Sequence, residues 1–462
     1  MPVDFTYTDP HLPHLPTLTD TEKMVEVFNA HPGRVFAGGL ERVLRAGIEK
    51  IYYRPGQHVS ALYRVQLESG EDHWLFAKSL VARKAENQFH KALAAVSPVT
   101  AAVLPPSFWP ECDMVVWPFP ADEKMPALRR LVQPAFVAAQ FEQHQKEFGL
   151  EGRWQVQQVR TRRIKYMPRK RCVLRYHLTL SNATGESREL AFFSKTCGEA
   201  ASRRYFENTR RAYQAFTPKS GDARESAGRL GLQIPRPILW LEEQSTFWQE
   251  EWPGRPVLES LPQRDWQPLF TQIAALLASL HTSHLADLPQ GESLEAISTA
   301  AELDAGHFLQ IFPQYRPTIA AVLAALLGRK AEIAGSIRER TPVHGALRLE
   351  QLLGNDTALA LLDWDALALG DPLADLAEFI ASLRLLEFSQ GLERARVRAV
   401  AEQLCATYAR LVPWPLEHRR LAWYLLAFWI GKMHLAVVNL DYRIMAKFAD
   451  AWQVCEEWLA QG

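Results

Sequence analysis

The side chains best suited to chemistry gather in one stretch, VHGALRLEQLLGNDTALALLDWDALALGDPLADLAEF, from Val343 to Phe379. It holds His344 and a series of carboxylates that includes Asp363, Asp365, Asp371 and Asp375. Carboxylates offer the hard oxygen ligands that Mg²⁺ prefers, usually one or two of them together with phosphate oxygens. An Asp at a strand or helix boundary also makes turns and caps. That scaffold reading suits Asp371, just ahead of Pro372, and Asp375, which can cap the helix running on through Phe379. His281 and His284 form an H-x-x-H at the end of an apolar helix, with no further His or Cys at ligand spacing, and read as ordinary helix-end residues. The five cysteines are scattered and include no C-x-x-C, which excludes a disulfide framework and a zinc ribbon. The basic run Lys165, Arg169, Lys170 and Arg171 fits a phosphate contact or a solvated hairpin face.

The elements around these residues fall into two kinds. From Tyr52 to Lys78 and again from Lys165 to Lys195, alternating apolar residues flank turn signals, the pattern of β-hairpins. Tyr53, Pro55, Tyr63 and Leu67 return 113 positions later as Tyr166, Pro168, Tyr176 and Leu180, and a longer turn then pairs Lys78 with Lys195 at an offset of 117. Each hairpin is followed by a charged helical segment and a Pro-rich strand region ending in Trp-Pro, at Trp117-Pro118 and Trp252-Pro253. A recurring order of parts predicts an internal duplication. From about Leu261 onward, apolar periodicity predicts long helices over 269–285, 319–338, 397–412 and 417–438. The segment 341–369 interrupts them with strand-length apolar runs and Gly/Asn/Asp turns, the kind of loop between rigid elements that carries function.

The Val343–Phe379 stretch resembles the catalytic segment of the aminoglycoside phosphotransferase and choline kinase family. That pattern is H-G-D-x-x-x-x-N, a strand ending in I-D-W-D/E, then G-D-P-x-x-D-L-A. His344-Gly345, Asp363-Trp364-Asp365, Gly370-Asp371-Pro372 and Asp375-Leu376-Ala377 match in order. The resemblance implies an α+β, protein kinase-like two-lobed fold with a small β-rich N-lobe and a large α-helical C-lobe, preceded here by an additional copy of the small lobe. The expected division is a lead segment over 1–45, an extra N-lobe-like domain over 46–135, a kinase-like N-lobe over 150–258 and a helical C-lobe over 259–462.

The resemblance also implies roles. Asp363 would hold Mg²⁺, Lys195 would contact the phosphates of ATP with Glu207 or Glu199 as its ion-pair partner, and His344 would brace the loop. In-line phosphoryl transfer is mostly positioning and charge neutralisation, with a carboxylate to accept the substrate hydroxyl proton. Here the chain departs from the pattern. Ala346 stands where the family keeps its catalytic Asp, and Gln351 stands at the Asn that ligates a second metal. Gln retains an amide oxygen one methylene further out, whereas Ala retains no acceptor. General-base help is worth about 10²–10⁴ in rate, so no intact catalytic residue set is expected; Glu350 in the same loop reads as solvated. The expectation is a pseudokinase-like protein that binds Mg-nucleotide in a regulatory role. Its rivals are an active ATP-dependent O-phosphotransferase of a sugar, aminoglycoside or choline-like alcohol, and a nucleotide-free scaffold. The extra lobe, with Trp109, Trp117 and Phe119, is expected to pack on the kinase core or on a protein partner.

Composition narrows the classes. The 462 residues are 48% hydrophobic and 23% charged, with 52 basic and 52 acidic side chains, which is soluble globular composition without a field to attract nucleic acid or an anionic membrane. The apolar stretch from Leu421 to Gly431 is too short to be a membrane span of about 20 residues and predicts a buried core helix. No secretory signal pattern is visible, and a cytoplasmic setting is expected.

Overall fold

A computed structural model of the chain describes residues 8–34, 41–81, 84–94, 104–217 and 232–460. The chain divides into two compact units, Met1–Arg203 with Ile238–Glu250 and Val438–Leu440, and Arg204–Pro237 with Glu251–Val437 and Asp441–Gly462.

The first unit is built twice from one plan. Short helices α1 (Leu15–Thr19) and α2 (Thr21–Ala30) lead into strands β1 (Val43–Arg54), β2 (His58–Leu67) and β3 (Asp72–Leu80), helix α3 (Lys84–Ala94), and strands β4 (Ser107–Trp109) and β5 (Met114–Pro118). The second pass gives α4 (Leu128–Leu131), α5 (Pro134–Gln143), β6 (Trp154–Met167), β7 (Arg171–Asn182), β8 (Ser187–Cys197), α6 (Glu199–Phe216), β9 (Pro237–Leu241) and β10 (Thr246–Glu250). The sheet orders are β1-β2-β3-β5-β4 and β6-β7-β8-β10-β9, the same topology. The strand period of two puts alternate residues on one face. Val59, Ala61, Tyr63, Val65 and Leu67 of β2 are buried, and so are Cys172, Leu174, Tyr176, Leu178 and Leu180 of β7, each 113 positions on. Lys78 sits between Ser60 and Val115, and Lys195 sits at the corresponding place between Val173 and Phe247. The turns before β5 and β10 each contain a left-handed residue, Asp113 (φ 44°) and Ser245 (φ 46°).

The duplication reaches further up the chain than the hairpins. Asp9 accepts hydrogen bonds from Tyr53 Oη (2.8 Å), Gly56 N (2.7 Å) and His11 N (2.9 Å). Asp122 accepts from Tyr166 Oη (2.9 Å), Arg169 N (2.7 Å) and Lys124 N (2.9 Å). Tyr63 Oη donates to Leu18 O at 2.5 Å, and Tyr176 Oη donates to Leu131 O at 2.9 Å. Every partner in the second set lies 113 positions after its equivalent in the first. Each module therefore begins near its Asp, and the lead segment over 1–45 contains the helix pair of the first.

The two modules share one apolar core. Leu62, Phe76, Val115 and Trp117 of the first lie in the same buried cluster as Tyr166, Leu174, Tyr176, Phe192 and Trp248 of the second. Trp109 and Trp117 are 0% and 2% exposed, so the aromatic surface expected of them is interior. Phe119 packs edge-on against Tyr166 at 5.1 Å between ring centroids. At the rim, Arg163 pairs with Glu49 at 2.7 Å and lies 4.1 Å over the ring of Trp74.

The second unit is mainly helical. Strand β11 (Arg255–Pro256) and helices α7 (Val257–Ser260), α8 (Trp266–His281), α9 (Leu294–Ile311) and α10 (Arg316–Ser336) precede strands β12 (Thr341–Val343), β13 (Leu352–Gly354), β14 (Leu359–Leu361) and β15 (Ala368–Gly370). Helices α11 (Pro372–Ser389), α12 (Arg394–Leu411), α13 (His418–Val438), α14 (Tyr442–Met445) and α15 (Phe448–Ala460) follow. The short strands form a β11-β13-β14 sheet and a β12-β15 pair that hold the loops of the site. Helices α11 and α13 are apolar on nearly every face because both are core elements. Helix α13 has the length and hydropathy of a membrane span, and 72% of its apolar window is buried. Its tryptophans are satisfied inside, with Trp423 Nε1 donating to Leu326 O at 2.8 Å and Trp429 Nε1 to Ala451 O at 2.9 Å.

Candidate active site

The loop after β12 is held from below by one carboxylate. Asp375, in the first turn of α11, accepts from His344 N at 2.5 Å and Gly345 N at 2.8 Å, and its Oδ2 lies 3.3 Å from His281 Nε2. His281 in turn meets Tyr408 Oη at 2.7 Å. Burial alone would raise the pKa of Asp375, but the His281 hydrogen bond and neighbouring charges hold it below the usual value. The sequence reading had Asp375 capping α11. The cap is Asp371, whose Oδ1 accepts from Leu373 N at 2.9 Å, while Asp375 is turned to the loop. His281, read as an ordinary helix-end residue, is 1% exposed and belongs to this brace.

Gly345 is required where it stands. Its φ is +80°, and a Cβ there would lie 2.6 Å from Ala366 O. His344 is fully buried, and its Nε2 lies 2.9 Å from Leu362 O. That contact makes Nε2 the protonated nitrogen of a neutral ring. Burial pushes the imidazole pKa down, in keeping with that form. His344 thereby ties the loop to the residue just before Asp363.

Asp363 adopts a left-handed conformation (φ 67°, ψ 51°), the local turn that Asp tolerates better than most residues. It is followed by the buried Trp364, whose ring lies 5.2 Å from His344 and whose carbonyl accepts from Asn208 Nδ2 at 3.2 Å. Gln351 is 5% exposed, and its Oε1 accepts from Arg348 N at 2.8 Å, closing the loop on itself. The amide oxygen of Gln351 thus already serves a backbone N–H.

Within this unit a cavity of about 610 Å³ is lined by Gly345, Ala346, Arg348, Asp365 and Glu378 among others. Ala346 gives the wall a methyl group. Asp365 is a carboxylate on the same wall, whereas Glu350 is exposed and is not among the lining residues. Glu378 is held by Lys432, whose Nζ also donates to Ser382 Oγ at 2.8 Å. Desolvation lowers the pKa of Lys432, and the Glu378 charge opposes the shift.

The remaining sequence-predicted residues divide between the units. Lys195 lies on β8 and Glu199 opens α6, both in the first unit, where Glu199 lines a cavity of about 260 Å³ with Lys124 and Glu243. Glu207 lies in the second unit and its carboxylate is paired with Arg210, one turn along the helix, at 2.6 Å. Sequence reasoning missed Arg348, Asn208 and His281. Only the H-x-x-H touches any of them, and by spacing it reads as a pair of ordinary helix-end residues.

A comparison with protein-family models places residues 208–414 in the phosphotransferase enzyme family. The α+β reading of the fold stands, and the N-terminal sheet repeats the strand order of the second. No sequence among curated proteins matches the chain. Among solved structures, the chain is similar to a thermostable mutant of aminoglycoside phosphotransferase APH(4)-Ia in ternary complex with ADP and hygromycin B. The identity is 16% and the TM-score 0.42, over 69% of this chain and 96% of that one. It is also similar to the choline kinase LicA from Streptococcus pneumoniae, at 13% identity and a TM-score of 0.39, over 70% of this chain and 99% of that one. A third is aminoglycoside phosphotransferase APH(3'')-Id from Streptomyces rimosus, at 17% identity and a TM-score of 0.38, over 64% and 98%.

Proposed function

We propose that this phosphotransferase-family protein binds a Mg²⁺-nucleotide and transfers its phosphoryl group poorly or not at all, serving a regulatory role. The observation that carries the reading is Ala346. The loop around it is fully built, with His344, Gly345 and Asp375 in a closed hydrogen-bond network, yet the side chain it presents to the cavity is a methyl group. A bound Mg-nucleotide would supply the phosphoryl group and the charge that neutralises it. Asp363 is the proposed ligand of the metal ion, and Lys195 the proposed phosphate contact on the strength of its match to the family pattern. The chain's own residues then hold and orient a nucleotide without a group at position 346 to take the acceptor's proton.

A second reading, an active O-phosphotransferase of a sugar, aminoglycoside or choline-like alcohol, is favoured by one observation. Asp365 lines the same cavity as Ala346 and is a carboxylate within it. Calorimetric titration with ATP, with and without Mg²⁺ and with Asp363→Ala as control, tests the shared premise. Binding that requires Mg²⁺ and is lost in the control supports both readings, and product analysis with candidate alcohols on wild type and Asp365→Asn then separates them. Absence of binding by the wild type refutes both and leaves a scaffold that engages a protein partner.

A further inference from the structure

We propose that Asp304, His307 and His434 form a site for a divalent transition-metal ion, with Zn²⁺ as the reference ion. The site is on the helical unit, outside the residues that line the 610 Å³ cavity, and the proposal does not rest on nucleotide binding. Asp304 and His307 stand three positions apart on α9, so they share one face of the helix. His434 faces them from α13. One ligand atom from each residue lies within 4.8 Å of the others.

The local geometry favours an ion over a chance meeting of side chains. The rings of His307 and His434 have centroids 5.3 Å apart, close enough for one ion to meet a nitrogen of each. His434 Nδ1 lies 2.7 Å from Asp304 Oδ1. A tetrahedral ion with bonds of about 2.0–2.1 Å holds its ligands about 3.3 Å apart, so small side-chain rotations convert this pair into two metal ligands. Two imidazoles and one carboxylate suit Zn²⁺, Co²⁺ or Ni²⁺ rather than Mg²⁺ or Ca²⁺. His307 is exposed, which gives the ion a route in and leaves a position for water. The same two helices contribute Ile297 and Phe428 to the cavity wall, so an ion here would fix two of its walls together.

The test is titration of the full chain with ZnCl₂ by calorimetry and with CoCl₂ by visible absorption, for wild type, His307→Ala, His434→Ala and Asp304→Asn. Because His307 is exposed, His307→Ala keeps the test open even where a change at the half-buried His434 disturbs folding. Cys405→Ser controls for the one cysteine that is not buried. The expected result is one equivalent of Zn²⁺, tetrahedral Co²⁺ bands without thiolate charge transfer, and affinity lower by about 10- to 100-fold or more in each site variant, with Cys405→Ser unchanged. No binding by the wild type at micromolar metal, or binding undiminished in both His307→Ala and His434→Ala, would overturn the proposal.

Discussion

Replacing Asp375 removes the one side chain, among the described residues, that meets both backbone donors of the loop at His344 and Gly345. Each is a hydrogen bond to an ionised carboxylate, at 2.5 and 2.8 Å. Such bonds are worth roughly 1.5–3 kcal/mol each, so Asp375→Ala should cost about 3–6 kcal/mol, a large part of a typical domain's 5–15 kcal/mol. Asp375→Asn is the sharper probe. Its amide oxygen can accept from one of the two N–H groups, while its NH₂ turns a donor toward the other, so about half the cost remains. His281 also loses a charged partner, though it keeps Tyr408. The assay is urea unfolding by circular dichroism together with hydrogen exchange of the peptide spanning 341–354, with Asp356→Ala as an exposed control. The expected result for Asp375→Asn is a loss of about 1.5–3 kcal/mol and faster exchange concentrated in that peptide. A cost under about 1 kcal/mol with unchanged protection would refute the role assigned to Asp375.

The paired carboxylates of the duplication make a second test. Asp9→Ala and Asp122→Ala each remove an acceptor of three hydrogen bonds with the same geometry, and should destabilise the first unit to a similar extent, by about 3–6 kcal/mol when two of the three go unreplaced by water. Strongly unequal urea midpoints would deny that the two positions are equivalent. A third prediction follows from titration. Burial raises the pKa of Asp9, but hydrogen bonds from Gly56 N, His11 N and Tyr53 outweigh it and leave the folded value below the ordinary 3.8. Its contribution is therefore fully present above the unfolded value and lost as pH falls through the lowered folded value. The stability gap between wild type and Asp9→Asn should be open at pH 7 and narrow as the pH falls below 3.8, as read by unfolding midpoints across that range; a gap independent of pH would contradict it.

The sequence carried the motifs of the loops and the repeated hairpins, because both rest on short-range signals. Hairpin alternation set Tyr63 and Tyr176 on buried faces, and the His344-Gly345 and Asp363-Trp364-Asp365 motifs lie where turns must form. The helix pair that opens each module was harder to see. Over α1 and α4 the two copies share little beyond Asp9/Asp122, Pro13/Pro126, Leu15/Leu128 and Leu18/Leu131, and only the tyrosine hydroxyls reaching back over about 45 residues explain why those few matter. The task of Asp375 was hidden for a similar reason. Its partners are backbone N–H groups 30 and 31 positions upstream, and nothing in the side-chain identities there distinguishes a helix cap from a loop brace. His281 reaches Asp375 across 94 positions, a separation that local pattern cannot register.

The common core of the two modules bears on how the chain can be cut. A fragment starting after residue 121 would keep every strand of the second sheet, yet it would lose Leu62, Phe76, Val115 and Trp117 from the interior they share with Tyr166 and Leu174. It would also lose Glu49, the ion-pair partner of Arg163. The freshly bared surface is aromatic and contiguous, the kind that drives self-association. Proteolysis in the stretch that joins β5 to α4 should accordingly leave two pieces that stay together until denatured.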